Sequence, residues 1–402
     1  MKILCVFGQY AYGCIDRGES YEYVNFVPAL RGLGHEVALF DCFDRTAYRN
    51  FAELNRAFLK AVEHEQPQLI FCVLMGYELW SETLRLAKQA SGACLLNWAA
   101  DDSWKYEEFS RYRAPSFDIY ATTYRSALQK ASVDGLANFT LTQWAASASL
   151  NREPKPSIAC RYPVSFIGSA YGNRRAWVAD LRRRGIEVCC FGHGWDNGAV
   201  PADQVSAIIN DSIISLNFSD SGLVLQGGRI RHSRQLKARV FEVPAAGGCL
   251  LTEATEGLEE YFSPGEEIEI FSDIKELADK INQLLANPAH RENIAKAGNQ
   301  RVRSCHTYEI RLQPLLGKVH PVNDQAQQMD WRTFESLAER HRPGWLLRVL
   351  RILLTAPCIL FWGRQRGPRA ARRLLFELSW RFAGAHTYSA GGWPGRLFYR
   401  ES

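Results

Sequence analysis

Short apolar runs alternate with longer segments of helical period through the first 150 residues. Residues 3–7, 36–40, 69–75, 94–98 and 118–122 read as strands. They are near-continuous in apolar character, as in parallel sheets covered on both faces. A helical pattern through 24–33 stops at Gly34, which suits a C-cap. Alternation of this kind predicts βαβ units and a doubly wound parallel sheet. The polar stretch Asn151-Arg-Glu-Pro-Lys-Pro156 interrupts the pattern, which then restarts. Strands are predicted at 164–168, 186–191, 213–218 and 249–252, and helices over 174–184 and 273–285. Asp273-Ile-Lys-Glu276 is a capping-box variant at the start of the latter. The expectation is α/β: two tandem Rossmann-like domains, 1–155 and 156–318, with an interdomain cleft, then a helical tail over 319–402. No internal repeat is evident.

The 402 residues are 47% hydrophobic and 23% charged, a globular balance. The net charge of +5 is uneven: residues 331–402 hold 13 Arg and no Lys against 4 Glu and no Asp. The tail is therefore at +9 and the body at −4. Eleven cysteines are present, and Cys5, Cys72, Cys94, Cys189, Cys190 and Cys249 lie in apolar runs, where Cys acts as a small hydrophobe. No CxxC pair occurs, so neither a zinc site nor a disulfide framework is implied, and a reducing compartment is expected. The apolar run after Met1 is too short for a signal peptide and fits a first strand.

Ligands of open α/β sheets bind beyond the carboxyl ends of the strands. In the second half those ends are Gly168-Ser169, the loop Gly192-His193-Gly194-Trp195, and Asn217-Phe218, with Arg174 and Arg175 opening a helix after the first. Further on, Arg239 and Glu242 stand three apart and share a helical face, with Lys237 just before them. Such a face can hold a phosphate on the guanidinium and a sugar hydroxyl on the carboxylate. It can equally be an ordinary i,i+3 ion pair. None of these loops is a P-loop, and Gly8-Gln-Tyr-Ala-Tyr-Gly13 lacks the dinucleotide spacing, which disfavours a nicotinamide enzyme. Asp101 and Asp102 follow the strand 94–98. They read either as an acceptor contact or base, or as N-caps of the next helix. His193 sits in a glycine loop, His35 in a turn, and His306 is placed to cap the helix through Arg311.

Three of these stretches in series carry a resemblance: Phe166-Ile-Gly-Ser-Ala-Tyr-Gly-Asn-Arg-Arg175, Phe191-Gly-His-Gly-Trp195 and Lys237-Ala-Arg-Val-Phe-Glu-Val-Pro-Ala-Ala-Gly247. Gly257-Leu-Glu-Glu-Tyr-Phe262, Ile268-Glu-Ile-Phe271, Ile294-Ala-Lys-Ala-Gly298 and His306-Thr-Tyr-Glu-Ile-Arg311 extend it. In the first half, Asn97-Trp-Ala-Ala-Asp-Asp102 and Phe117-Asp118 fit the same series. Over about residues 1–316 the chain resembles the CgeB-like (spore-maturation-type) glycosyltransferases of the group 1 superfamily. The resemblance implies a GT-B fold, with a nucleotide-diphosphate sugar on the C-terminal domain and an acceptor on the N-terminal one. It implies no cofactor and no metal: positive side chains and a helix N-terminus would stabilise the departing diphosphate. Glu242 would bond the donor ribose. Lys237, Arg239, Gly168, Ser169 and Arg174 would lie near the phosphates, and Gly192 to Trp195 near the base or ribose. One departure stands out. Many superfamily members carry a second glutamate eight positions before the ribose-binding one, and here that residue is Arg234.

The tail has its own pattern. Residues 352–362 are an unbroken apolar run of eleven, short of the roughly 20 a spanning helix needs. Ala370, Leu374, Leu378 and Phe382 repeat at i+4, while Arg369, Arg373, Glu377 and Arg381 take another face. Trp331, Trp345, Trp362, Trp380 and Trp393 suit a headgroup region. The pattern over 345–382 predicts peripheral binding to an anionic membrane surface on the cytoplasmic side, against the alternative of a helical pair docked on the body. No nucleic-acid-binding module accompanies the charge. Taken together, the sequence points to a glycosyltransferase that serves a glycan, lipid-linked or protein acceptor, with a cell-envelope glycan suggested by the tail. Arg234 keeps a second expectation open: a catalytically silent scaffold that binds nucleotide sugar or glycan.

Overall fold

The computed structural model describes residues 1–226, 229–320 and 327–402, with the backbone alone at 222–226 and 229–232. The chain divides into two units, Met1–Thr142 with Leu315–Ser402, and Gln143–Pro314.

In the first unit, β1 (Lys2–Val6), β2 (Glu36–Phe40), β3 (Leu69–Cys72), β4 (Cys94–Ala99), β5 (Ile119–Thr122) and β6 (Phe139–Leu141) form a parallel sheet in the order β2-β1-β3-β4-β5-β6. Ile3 to Val6 and Leu69 to Cys72 are buried on both faces, which is why their sequence shows no alternation. The helix Tyr21–Gly32 starts at Ser20, whose Oγ accepts the Tyr23 N–H at 3.1 Å. It ends with the Gly34 N–H on the Arg31 carbonyl (2.9 Å) and the His35 N–H on the Leu30 carbonyl (3.2 Å), a Schellman close.

The tail is built into this unit. The helix Trp331–Arg340 buries Phe334 against Trp80, and Arg56 reaches Glu335 with two bonds of 2.7 and 2.6 Å. The helix Trp345–Ala383 breaks at Gly363 (φ 77°, ψ 171°) and folds back on itself. A Cβ on Gly367 would lie 2.6 Å from the Ile359 backbone, so only glycine lets the two arms touch there. Cys358, Ala371, Leu375, Leu397 and Phe398 share a small core. Arg351 donates to the Leu397 carbonyl at 2.8 Å, and Arg373 pairs with Glu108 at 3.0 Å. The i+4 stripe faces away from the core. Leu374, Leu378 and Phe382 are exposed, while Ala371, Leu375, Phe376 and Ser379 are buried. The tryptophans also separate: Trp331 packs on Phe334 and Trp380 donates to Glu377, whereas Trp345, Trp362 and Trp393 are exposed.

In the second unit, β7 (Tyr162–Ile167), β8 (Cys189–Phe191), β9 (Ser212–Asn217), β12 (Leu250–Glu253) and β13 (Glu269–Phe271) form a parallel sheet in the order β13-β12-β9-β7-β8. An antiparallel hairpin of β10 (Asp220–Gln226) and β11 (Arg229–Arg234) stands apart from it. Residues 151–156 lie inside this unit. The Arg152 N–H bonds Ala245 O at 3.0 Å, and the fully buried Arg291 reaches Lys155 O and Ile213 O, both at 2.8 Å. Asp273 caps the helix Ile274–Ala286 by accepting the Lys275 and Glu276 N–H groups, and Glu276 accepts from Ser272 N–H at 2.8 Å.

His306 closes the helix Pro288–Cys305 rather than opening the one that carries Arg311. Its ring is buried among Phe241, Tyr261 and Phe262, with Nε2 2.9 Å from Tyr261 O and Nδ1 3.2 Å from Arg311. Burial pushes its pKa down to about 4. The native state therefore holds His306 neutral where the unfolded chain would protonate it, so stability falls as pH drops from about 6.5 towards 4. Melting temperatures across that window should show the loss, amounting to about 3 kcal/mol at most, and His306→Gln should flatten it.

Candidate functional site

The second unit gathers its polar loops at the carboxyl ends of β7, β8, β9 and β12. Arg174 organises the first loop. Its buried guanidinium donates to Ser169 O at 2.8 Å, Tyr171 Oη at 3.0 Å and Phe218 O at 3.3 Å, and it stacks on Tyr171 at 3.9 Å. Burial pushes its pKa down, opposed by Tyr171 and Asp220. Arg174 is thus spent on carbonyls, and Arg175 is the more exposed cation of the pair.

The glycine loop lies directly on this one. Trp195 Nε1 donates to Gly168 O at 2.8 Å, and the Ala170 N–H to His193 O at 2.8 Å. Gly192 has φ +126°, and a Cβ there would sit 2.4 Å from Gly168 O, so the close approach demands glycine. Arg175 donates to Gly194 O and lies over the Trp195 ring at 5.4 Å. The His193 side chain is exposed. Gly168, Ser169, Arg174, Gly192, His193, Gly194 and Trp195 are therefore brought together in one patch.

Lys237, Arg239 and Glu242 stand at the start of the helix Arg239–Ala245. Arg239 Nη1 lies 2.8 Å from Glu242 Oε2, with the carboxylate buried and the guanidinium partly exposed. The i,i+3 ion pair is real, and it is held from below: Asn299 Nδ2 donates to Pro244 O (2.8 Å) and Ala245 O (3.0 Å). Ser219 ties this segment to the end of β9, since its carbonyl accepts the Gln235 N–H at 3.0 Å.

Two carboxylates here escaped the sequence reading. Asp220 is buried, its backbone carbonyl accepts from Tyr171 Oη at 3.3 Å, and its Oδ2 is 2.4 Å from where a Cβ on Gly172 would be. Glu253 is also buried: it accepts the Ser219 N–H and pairs with Arg234 at 2.9 Å from its Nε. Arg234 thus has a carboxylate beside it. The only sequence signal was a Thr-Glu at a strand end.

In the first unit, Asp102 is buried, accepts from Ser110 Oγ, and has its carboxyl pushed up by burial. Tyr120 Oη bonds the same Ser110 at 2.9 Å. Asp101 is the N-cap residue of the turn that follows β4, without a side-chain cap bond, and lies 4.0 Å from Lys105 Nζ. It stays partly exposed. Among the described residues, no three His, Cys, Asp or Glu side chains are grouped as metal ligands.

Solved structures of the same architecture fix the fold. Sucrose-phosphate synthase from Thermosynechococcus elongatus is similar with a TM-score of 0.55 at 13% identity, over 79% of this chain and 98% of that one. HepE from Anabaena in complex with UDP gives 0.54 at 12%, over 79% and 99%. A glycosyltransferase from Rickettsia africae gives 0.53 at 11%, over 79% and 97%. The fold is GT-B. Residues 174–317 further match the sequence model of a family described as Glycosyl transferase-like, the stretch that holds Arg174, Lys237, Arg239 and Glu242. Fold and family match together define a glycosyltransferase enzyme. No curated protein matches the chain.

Arg174→Ala should remove three donated bonds and a stacked ring at once. We expect a loss of about 3 kcal/mol in urea unfolding, little of it recovered by Arg174→Lys, because an ammonium cannot reach three acceptors in a plane.

Proposed function

We propose that the chain moves a sugar from a nucleotide-diphosphate sugar to a glycan, lipid-linked or protein acceptor, and that the second unit binds the donor. The carrying observation is the Arg239–Glu242 pair in a family-matched segment, with the carboxylate buried and the guanidinium partly open. Glu242 would accept the ribose hydroxyls, and Arg239 with Lys237 would face the diphosphate. The Gly168–Ser169 and Gly192 to Trp195 loops would take the remaining phosphate, base and ribose contacts, with Arg174 holding the first of them in shape. HepE, a neighbour in fold, is known with UDP and with UDP-glucose, which favours a nucleoside diphosphate as the probe. The series of motifs supports the narrower CgeB-like assignment.

On the first unit, Asp101 is the acceptor-side carboxylate this reading favours, because it is partly exposed at a strand end. Asp102 would position the turn from below. No cofactor is invoked: the chain's own cations would stabilise the leaving diphosphate. The scaffold alternative draws on Arg234, but the adjacent Glu253 keeps a carboxylate at that place and weakens it. Thermal shift with UDP, GDP and ADP tests the donor claim. A nucleotide at 100 times its Kd should stabilise by about 2.7 kcal/mol. Glu242→Ala should weaken that binding roughly tenfold or more and abolish donor hydrolysis or transfer. Binding without turnover in any acceptor mixture would favour the scaffold, and no shift with any nucleotide would remove the donor site.

We further propose that the tail seats the enzyme on the cytoplasmic face of a membrane, in keeping with a cell-envelope acceptor. Trp345, Leu346, Val349, Ile352, Leu353, Leu360, Phe361 and Trp362 are all exposed, an extensive apolar face. By length and composition the segment Trp345–Tyr388 is apolar enough to cross a membrane. The break at Gly363 favours a hairpin lying in the surface instead. Each large side chain gains about 1.5–3 kcal/mol on full burial, and Arg364, Arg366 and Arg369 beside the bend would meet anionic headgroups. In flotation with anionic vesicles the full chain should rise with the lipid, and Leu360→Ser/Phe361→Ser/Trp362→Ser should stay in solution. A triple variant that floats like the wild type would exclude the hairpin tip.

A further inference from the structure

A cavity of about 350 Å³ lies in the first unit where the tail meets the body. The helices Phe51–Glu65 and Trp331–Arg340 contribute to its walls, together with Gly395 and Arg396 near the end of the chain. None of the residues assigned above to donor, acceptor or membrane lines it. We infer that this cavity binds a phosphate group, with the Arg396 guanidinium as its anchor.

The charges around the cavity do not balance. Arg49, Arg56, Arg342 and Arg396 line it against Glu53, Glu335 and Glu339. Each glutamate has an arginine. Glu335 takes Arg56 through two bonds of 2.7 and 2.6 Å, Glu53 takes Arg49 at 2.7 Å, and Glu339 lies 3.8 Å from Arg342. Arg396 is the cation left over. Its Nε donates to His341 O at 2.8 Å, and among the described residues its two Nη groups have no partner. The side chain is half-buried, and burial pushes its pKa down with no carboxylate to offset the shift. Glu82 does not serve it: that carboxylate acts on His341 and accepts the Ala390 N–H at 3.2 Å. A cation withdrawn from water without a counter-charge is costly, and an anion arriving from solution relieves the cost.

The surroundings favour phosphate over carboxylate. A carboxylate fills one edge of one guanidinium, whereas a tetrahedral phosphate accepts from several directions at once. Arg342 and Arg49 supply the further donors. Their side chains are 71% and 87% exposed, and exposed pairs of this kind are worth about 1 kcal/mol or less, so both can turn to a better acceptor. Arg56 stays where it is, doubly bonded and lying over the Phe334 ring at 5.5 Å. The volume falls within the roughly 300–1,000 Å³ of small-molecule sites, more than a bare phosphate fills. The phosphate therefore carries a compact organic group, which would rest on Phe51, Ala338 and Pro343.

Two sources offer that chemistry: a soluble phosphate ester and the headgroup of an anionic phospholipid. Pro343 stands two residues before Trp345, where the exposed apolar helix begins, so the cavity lies at the root of the segment assigned to the membrane. The lipid source rests on the membrane reading; the phosphate site does not.

Titration calorimetry on the full chain with glycerol 3-phosphate, and with dihexanoyl phosphatidylglycerol below its micelle concentration, tests the inference. Each titration is repeated with UDP present, to separate this cavity from the donor site. At least one probe should bind, with affinity lowered about tenfold or more in Arg396→Gln and about threefold in Arg342→Ser, and unchanged by UDP. Tighter binding of the lipid assigns a headgroup, and equal or tighter binding of glycerol 3-phosphate assigns a soluble ester; either upholds the site. Arg342 is exposed, so its variant keeps the test valid if Arg396→Gln folds poorly. No binding of either probe, binding displaced by UDP, or affinity indifferent to both substitutions overturns the inference, even where the chain still floats with vesicles.

Discussion

A parallel sheet leaves backbone carbonyls at its strand ends and in the loops beyond them, and buried carbonyls must find donors. In this chain arginines supply them. Arg174 holds Ser169 O and Phe218 O, Arg291 holds Ser212 O, Ile213 O and Lys155 O, and Arg113 holds Leu79 O. All three are buried, and each carries several fixed donors where a single water would carry two. The loops of the second unit keep one shape because of this. Remove Arg174 and the Gly168 loop loses its anchor, and the Gly192 loop that rests on it loses its floor.

The alternation of strand and helix was legible because buried parallel strands are short, apolar and uninterrupted, as Ile3 to Val6 and Leu69 to Cys72 show. The loops Gly168-Ser169 and Gly192 to Trp195 were legible too, because close backbone approach requires small residues. What escaped was long-range pairing. Glu253 and Arg234 are 19 apart in sequence and meet only through the fold.

The Arg239–Glu242 pair shows how two readings of one pattern coexist. As an ion pair it stands without a ligand, at 2.8 Å. A ribose hydroxyl arriving at Glu242 would add to that bond rather than replace it, since a carboxylate accepts on both oxygens. A phosphate arriving at Arg239 would find a guanidinium already oriented by its partner. Preorganisation of this kind lowers the entropy lost on binding, because the long side chains are fixed beforehand.

The reversal at Gly363 has a topological consequence. A hairpin returns the chain to the side from which it left, so the segments before and after it stay with the same folded unit. A lipid surface taking up such a tip receives it from one side only. On the proposed membrane reading no polypeptide would have to be threaded through, so attachment would follow folding and be reversible, with occupancy set by how much acidic lipid the surface offers rather than by a single event at synthesis.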